Sequence, residues 1–273
     1  MTLLLRLTSR SLRNGLAGLI ALLAGIILFE FAQPLVIASF GGASGLDAIM
    51  TRLPPALQVL ARARPEFLAM SGLMGYLSLG YTHPLYLVLT CAAVVSYPSR
   101  ALAGEMERGF VKMALSRSIS RTRYFMSRAL GVAVIGLLVA LSGPLGTILG
   151  VSFAGIQDDF EMARIPLLMA TSLALLWAVA GIALCASALA NSSGQASGWL
   201  LAILLVSFFV EYFSSVWQPL QSVVGISIFH YHDPTGALAN GQMDERNVVV
   251  LGGVGLAAAV IGLLAFQRRD LPT

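Results

Sequence analysis

Six stretches of this chain are each apolar for long enough to cross a bilayer, and nothing else in the sequence limits the fold as much. They run over 15–40, 76–98, 129–153, 166–190, 196–216 and 248–266. The hydrocarbon core needs about 20 apolar residues in a helix, and backbone groups inside it find no water to bond. Each stretch is therefore expected as a transmembrane helix, and residues 1–273 as one all-α, polytopic membrane domain. Charge usage agrees: 11% of residues are charged, against about 25% in soluble domains. The first stretch has a basic flank, as a signal peptide does. Its apolar run is longer than a signal's and is interrupted late by Glu30, Gln33 and Pro34, so it is read as an uncleaved span.

The basic residues sort by side. Arg6, Arg10, Arg13, Arg100, Arg108, Lys112, Arg117, Arg121, Arg123, Arg128, Arg268 and Arg269 fall in one set of loops, twelve of the 17 in the chain. Arg52, Arg62, Arg64, Arg164 and Arg246 fall in the other set. The positive-inside rule then puts both termini in the cytoplasm, as an even number of spans requires. Within residues 1–14, Arg6, Arg10 and Arg13 share one helical stripe and Leu5, Ser9 and Leu12 another, the pattern of an amphipathic helix on an anionic surface. Cys91 and Cys185 lie in apolar runs and read as packing residues.

The longest polar interruption with helical character is Gly104 to Arg121. Leu102, Met106, Phe110 and Met113 recur at steps of four, four and three and share one side of a helix. Glu105, Glu107, Arg108 and Lys112 fall on the other sides, with Glu105 and Arg108 one turn apart and able to pair. A short amphipathic helix between the second and third spans is expected. Pro54 to Ala63 is a candidate interfacial helix, and Leu220 to Phe229 is apolar but too short to cross. Gly146 and Gly150 form a GxxxG pair, which serves ordinary helix packing or a dimer face.

At these positions the chain resembles the permeases of type-2 ABC exporters. After their second span these carry a pattern close to G-E-x-x-x-G-T, three residues, L-L-x-x-P-x-S-R. Gly104, Glu105, Gly109, Leu115, Ser120 and Arg121 match it, while Phe110 stands for Thr, Ala114 for the first Leu and Ser118 for Pro. Phe229-His230-Tyr231-His232-Asp233-Pro234 resembles the family's aromatic D-P segment, and Phe266 to Leu271 its F-x-x-R-D-L ending. The resemblance implies that Gly104, Glu105, Met106, Glu107, Arg108, Gly109, Phe110 and Arg121 form a coupling helix against a nucleotide-binding subunit. Residues 1–14 become an elbow helix. A second permease copy and two ATPase subunits complete the transporter in the cell membrane, with ATP and Mg²⁺ held by the ATPase partner and no cofactor in this chain.

The residues bear on chemistry in their own right. Lys112 is the only lysine, and neither a preceding glycine nor a following Ser or Thr makes a phosphate loop of it. ATP-driven work would need a separate polypeptide, so the chain itself is not read as an enzyme. No G-x-S-x-G or H-E-x-x-H appears. Glu30, His83 and Glu211 lie in the outer halves of their spans, and charges there are costly. They are candidates for an outward cavity that takes a polar or cationic substrate. The plainer alternative has Glu30 hydrogen-bonded to a neighbouring helix and Glu211 reaching the headgroups. His230, His232 and Asp233 offer metal-type donors, but a structured turn accounts for them better. A membrane scaffold without transport, or an ion-coupled carrier using Glu30 and Glu211, would also have six spans. A carrier's inverted repeat is not evident between the two halves, and a scaffold has no use for a docking helix.

Overall fold

The computed structural model describes residues 8–9, 13, 15–50, 52, 54, 65–116, 119–214 and 217–269. Arg6, Arg10, most of the segment read as a helix over 54–63, Ser118 and the closing Asp270-Leu271 lie outside them. The described residues form helices and no strands. In chain order they are α1 (Leu16–Ser39), α2 (Gly42–Met50), α3 (Pro65–Thr82), α4 (Pro84–Pro98), α5 (Gly104–Glu107), α6 (Phe110–Leu115), α7 (Arg121–Ala154), α8 (Ile165–Leu189), α9 (Ser193–Ser214), α10 (Gln218–Gln221), α11 (Pro234–Ala239) and α12 (Glu245–Arg268). Six helical stretches among the described residues are long and apolar enough to cross a membrane: α1, residues 84–107, α7, residues 162–189 with α8, α9 and α12.

The second span differs from the sequence reading of 76–98. Pro84 cannot continue a helix that arrives from α3. His83 takes an extended conformation and its Nδ1 accepts from the Leu85 amide at 3.2 Å, so α4 starts afresh at Pro84. From there helix continues through a π-helical turn, Ser99–Ala103, into α5, ending at Glu107. The whole span sits about two turns further along the chain. The stretch between α9 and α12 stays a chain of short turns. α10, two 3₁₀ turns at Val224–Ile226 and Ile228–Tyr231, and α11 follow one another. Asp233 caps α11 by accepting from the Gly236 amide at 2.8 Å, with Pro234 at the first helical position, which accounts for a D-P pair at that point.

α8 is the centre of the bundle, packed against α12, α7, α4, α9 and α11, while α1 packs along α7 and α4. Glycines set the closest of these approaches. A side chain on Gly146 would meet the Ile27 carbonyl, and one on Gly150 the Phe31 carbonyl. The GxxxG pair of α7 is therefore the seat of α1 within the same chain. Gly181 faces Gly255 in the same way between α8 and α12. Large residues of α7 such as Leu137, Leu141, Leu145 and Leu149 point outward. Without a hydrophobic drive between helices in lipid, small residues inside and large ones outside let backbones touch.

Gly146→Leu is accordingly expected to destabilise the detergent-solubilised protein by about 1–3 kcal/mol, because a backbone carbonyl cannot move aside. Gly253→Ala, where nothing lies within 4 Å, is not expected to lower the melting temperature. Thermal unfolding of the two variants checks this; equal behaviour would remove the α1–α7 contact.

Candidate functional site

The residues singled out over 104–121 gather at one end of the bundle, where the arginines concentrate. The expected single amphipathic helix is broken. Gly109 has φ +74°, a left-handed conformation that glycine adopts without strain, so α5 stops and α6 starts on a new axis. The periodic face breaks with it. Leu102 is fully buried, and Met106 packs half-buried on Ala103, Ala190 and Ala196. Beyond the glycine, Val111 and Leu115 turn inward instead, leaving Phe110 and Met113 about half exposed.

Glu105 does not pair with Arg108. Its Oε2 lies 2.8 Å from Nη2 of Arg128 and accepts from the Tyr124 hydroxyl, both on α7. Arg128 is nearly fully buried, and its guanidinium also lies 4.6 Å from the Tyr124 ring centre. Such a charge requires a partner, and Glu105 supplies it. Arg108 instead donates from Nε to the Gly104 carbonyl at 3.0 Å. Glu107 reaches the other way. Its Oε2 accepts from the backbone amide of Ser193 at 3.0 Å and from the Ser193 hydroxyl at 3.2 Å, at the first residue of α9. A carboxylate there meets free amides and the positive end of the helix dipole. Ser192 adds a cap, accepting from the Gln195 amide at 3.1 Å. The two glutamates thus tie α5 to α7 on one side and to α9 on the other.

Arg121 turns away from this segment. Its Nη1 donates to the carbonyls of Gln267 at 2.7 Å and Arg269 at 2.6 Å, past the end of α12. Arg269 in turn donates to the carbonyls of Ala188 at 2.6 Å and Ala190 at 2.8 Å, where α8 ends. Partial burial draws the Arg269 guanidinium below its ordinary value. Sequence reading assigned neither partner. The clue available was the position alone: an arginine just before or after an apolar run stands where a helix end needs a donor.

The three residues of the expected substrate cavity each meet their own neighbours. Glu30 is fully enclosed between α1, α3 and α7, and Thr147 Oγ1 donates to its Oε2 at 3.3 Å. The Tyr81 hydroxyl lies 2.6 Å from the same Thr147 oxygen. Glu30 thus bonds to a neighbouring helix in this arrangement. His83 caps α4 and lies with its ring 5.2 Å from Phe29. Glu211 lies 3.2 Å from Nδ1 of His230. His83 and Glu30 share the α1 neighbourhood, while Glu211 belongs to α9 and the turns after it. A cavity of about 430 Å³ opens elsewhere, between α7, α8 and α12, and its lining is apolar, with Trp177, Leu173, Val132 and Val248 among it. No group of three metal-binding side chains occurs among the described residues.

Removing Glu105 alone leaves Arg128 buried without its carboxylate. Glu105→Ala is expected to cost about 3–5 kcal/mol, whereas Glu105→Ala with Arg128→Leu recovers most of that loss. A double-mutant cycle in thermal unfolding measures the pair, and simple additivity would show that Glu105 finds its partner elsewhere.

No curated protein matches the chain. A family model described as ABC-2 family transporter protein matches residues 14–271. That match takes in both glutamates of α5, the arginine at the head of α7 and the capped end of α12, and the chain belongs to the ABC-2 transporter family, as a multi-pass membrane permease of an ABC transporter.

Proposed function

We propose that this permease works in an ATP-driven exporter of the cell membrane, with a separate nucleotide-binding subunit docked on the 104–115 segment. The observation that carries the reading is the shape of that segment. It is the direct continuation of a membrane span, it is fixed by Glu105 to α7 and by Glu107 to α9, and beyond Gly109 it exposes Phe110 and Met113. An apolar pair on a rigidly held turn suits insertion into a groove on a partner. Glu105 and Met106 serve the permease side of this joint, and Phe110 and Met113 the partner side. ATP binding closes the nucleotide-binding pair, pushes the segment and turns the spans outward. The family match supports an ABC ATPase partner, and the single lysine, which stands in no phosphate-binding loop, agrees with placing it on another polypeptide.

The basic end faces the cytoplasm, together with both termini, in keeping with the bias of arginines to one side. A second permease copy completes the pathway. α9 favours that reading, since Trp199, Leu201, Phe209 and Phe213 project from a helix that the other described residues scarcely cover.

The test is co-purification in nanodiscs with the ATPase encoded nearest to this chain. A stable complex is expected, with Phe110→Asp plus Met113→Asp weakening it by at least about tenfold, or about 1.4 kcal/mol, while the melting temperature of the permease alone is unchanged. Failure of any ATPase subunit to co-purify would overturn the proposal.

A further inference from the structure

Two motifs from distant parts of the sequence meet at the basic end. Ser120-Arg121 opens α7, and Phe266 to Arg269 closes α12, 145 residues later. Hydrogen bonds and ring contacts join them. Arg121 Nη1 reaches the Gln267 and Arg269 carbonyls at 2.7 and 2.6 Å, with the Phe266 carbonyl at 3.5 Å. Gln267 Nε2 donates to Thr122 Oγ1 at 2.9 Å. The buried ring of Phe266 lies 6.0 Å from that of Tyr124, nearly parallel to it, and 6.1 Å from that of Phe125. Arg269 then leaves the helix in extended conformation and carries its guanidinium to Ala188, Ala190 and, at 2.5 Å, Asn191 Oδ1.

Each arginine caps a helix other than its own. The last carbonyls of a helix have no partner within it, and a cation is favoured at that end of the dipole. Arg121, from α7, satisfies the end of α12, and Arg269, from beyond α12, satisfies the end of α8. Tyr124 joins this arrangement to α5: its hydroxyl donates to Glu105 while its ring stacks on Phe266.

We propose that Arg121 and the Phe266–Arg269 segment form a clasp that holds the ends of α7, α8 and α12 as one block. A push on α5 then passes through Glu105 and Tyr124 to α12, and through Arg269 to α8. The clasp remains closed while the transporter works, and both arginines act inside the permease and not on the partner. Its working role rests on the coupling function proposed above; its geometry does not.

The test has two arms. In a background with Cys91→Ala and Cys185→Ala, Thr122→Cys with Gln267→Cys is treated in membranes with a short bis-methanethiosulfonate reagent. Mass spectrometry is expected to find the 122–267 cross-linked peptide, and its absence from folded protein overturns the clasp. In the purified complex with the ATPase subunit, the cross-link is expected to leave ATP hydrolysis within about twofold, whereas Arg269→Met lowers it about tenfold without dissociating the complex. Arg269→Lys, which keeps a charged donor for the carbonyls, restores most of the rate; a role in folding alone would change the melting temperature but not hydrolysis per assembled complex. Arrest by the cross-link, or full hydrolysis in Arg269→Met, overturns the proposed role. If no ATPase subunit binds, the working role falls with the coupling function while the cross-link still decides the geometry.

Discussion

A helix that ends inside a packed bundle leaves its last carbonyls and first amides without partners, and at the edge of a bilayer water only partly relieves them. In this chain several helices start or end within one layer at the basic end. The side chains that satisfy them come from other helices: Glu107 meets the first amide of α9, Arg121 the end of α12, and Arg269 the end of α8. The opposite end repeats the device. Arg164, just before α8, donates to the carbonyls of Leu238 and Ala239 that close α11 and pairs with Glu161 at 2.7 Å. Because each of these partners is borrowed, the position of one helix end is tied to that of another, and the ends form a connected layer.

Between the layers the chain relies on close backbone contact. Gly146 and Gly150 admit α1, and Gly181 and Gly255 bring α8 and α12 together. The glycines offer narrow notches for a neighbouring backbone, while the large leucines of α7 point outward. Rigid helices held by notches and joined at their ends suit a machine that moves in blocks.

Much of the fold was legible because membrane insertion is a local property: a window of apolar residues either satisfies the bilayer or does not. That reading went astray where a local rule was outweighed. The apolar run at 76–98 contains His83-Pro84, a pair that marks a kink in the sequence, and the break there is complete, so that a new helix starts at Pro84. The amphipathic period across 102–113 was real in sequence, but Gly109 in left-handed conformation reset the helix and sent Phe110 and Met113 outward. The GxxxG pair showed that something packs closely without showing what, because the notch is in α7 and the ridge is in α1. Glu105 was legible as important and not as to its partner. Spacing favours Arg108 one turn on, yet Arg128 is the buried cation that needs a carboxylate, and burial is a tertiary fact.

That choice of partner bears on how a push could travel. Had Glu105 paired along its own helix, the segment would be held by α4 and, through Glu107, by α9, and would lack this tie to α7. Joined to Arg128 and Tyr124, it is fastened to α7, and through Glu107 to α9. Behind it lies the π-helical turn Ser99–Ala103, where the hydrogen-bond ladder is out of its α register. π-turns inside α-helices are frequent at functional sites. In the coupling function proposed above, a push on α5 would therefore meet its bonds to α7 and α9 as well as its own span, so α4 is not its only route into the bundle.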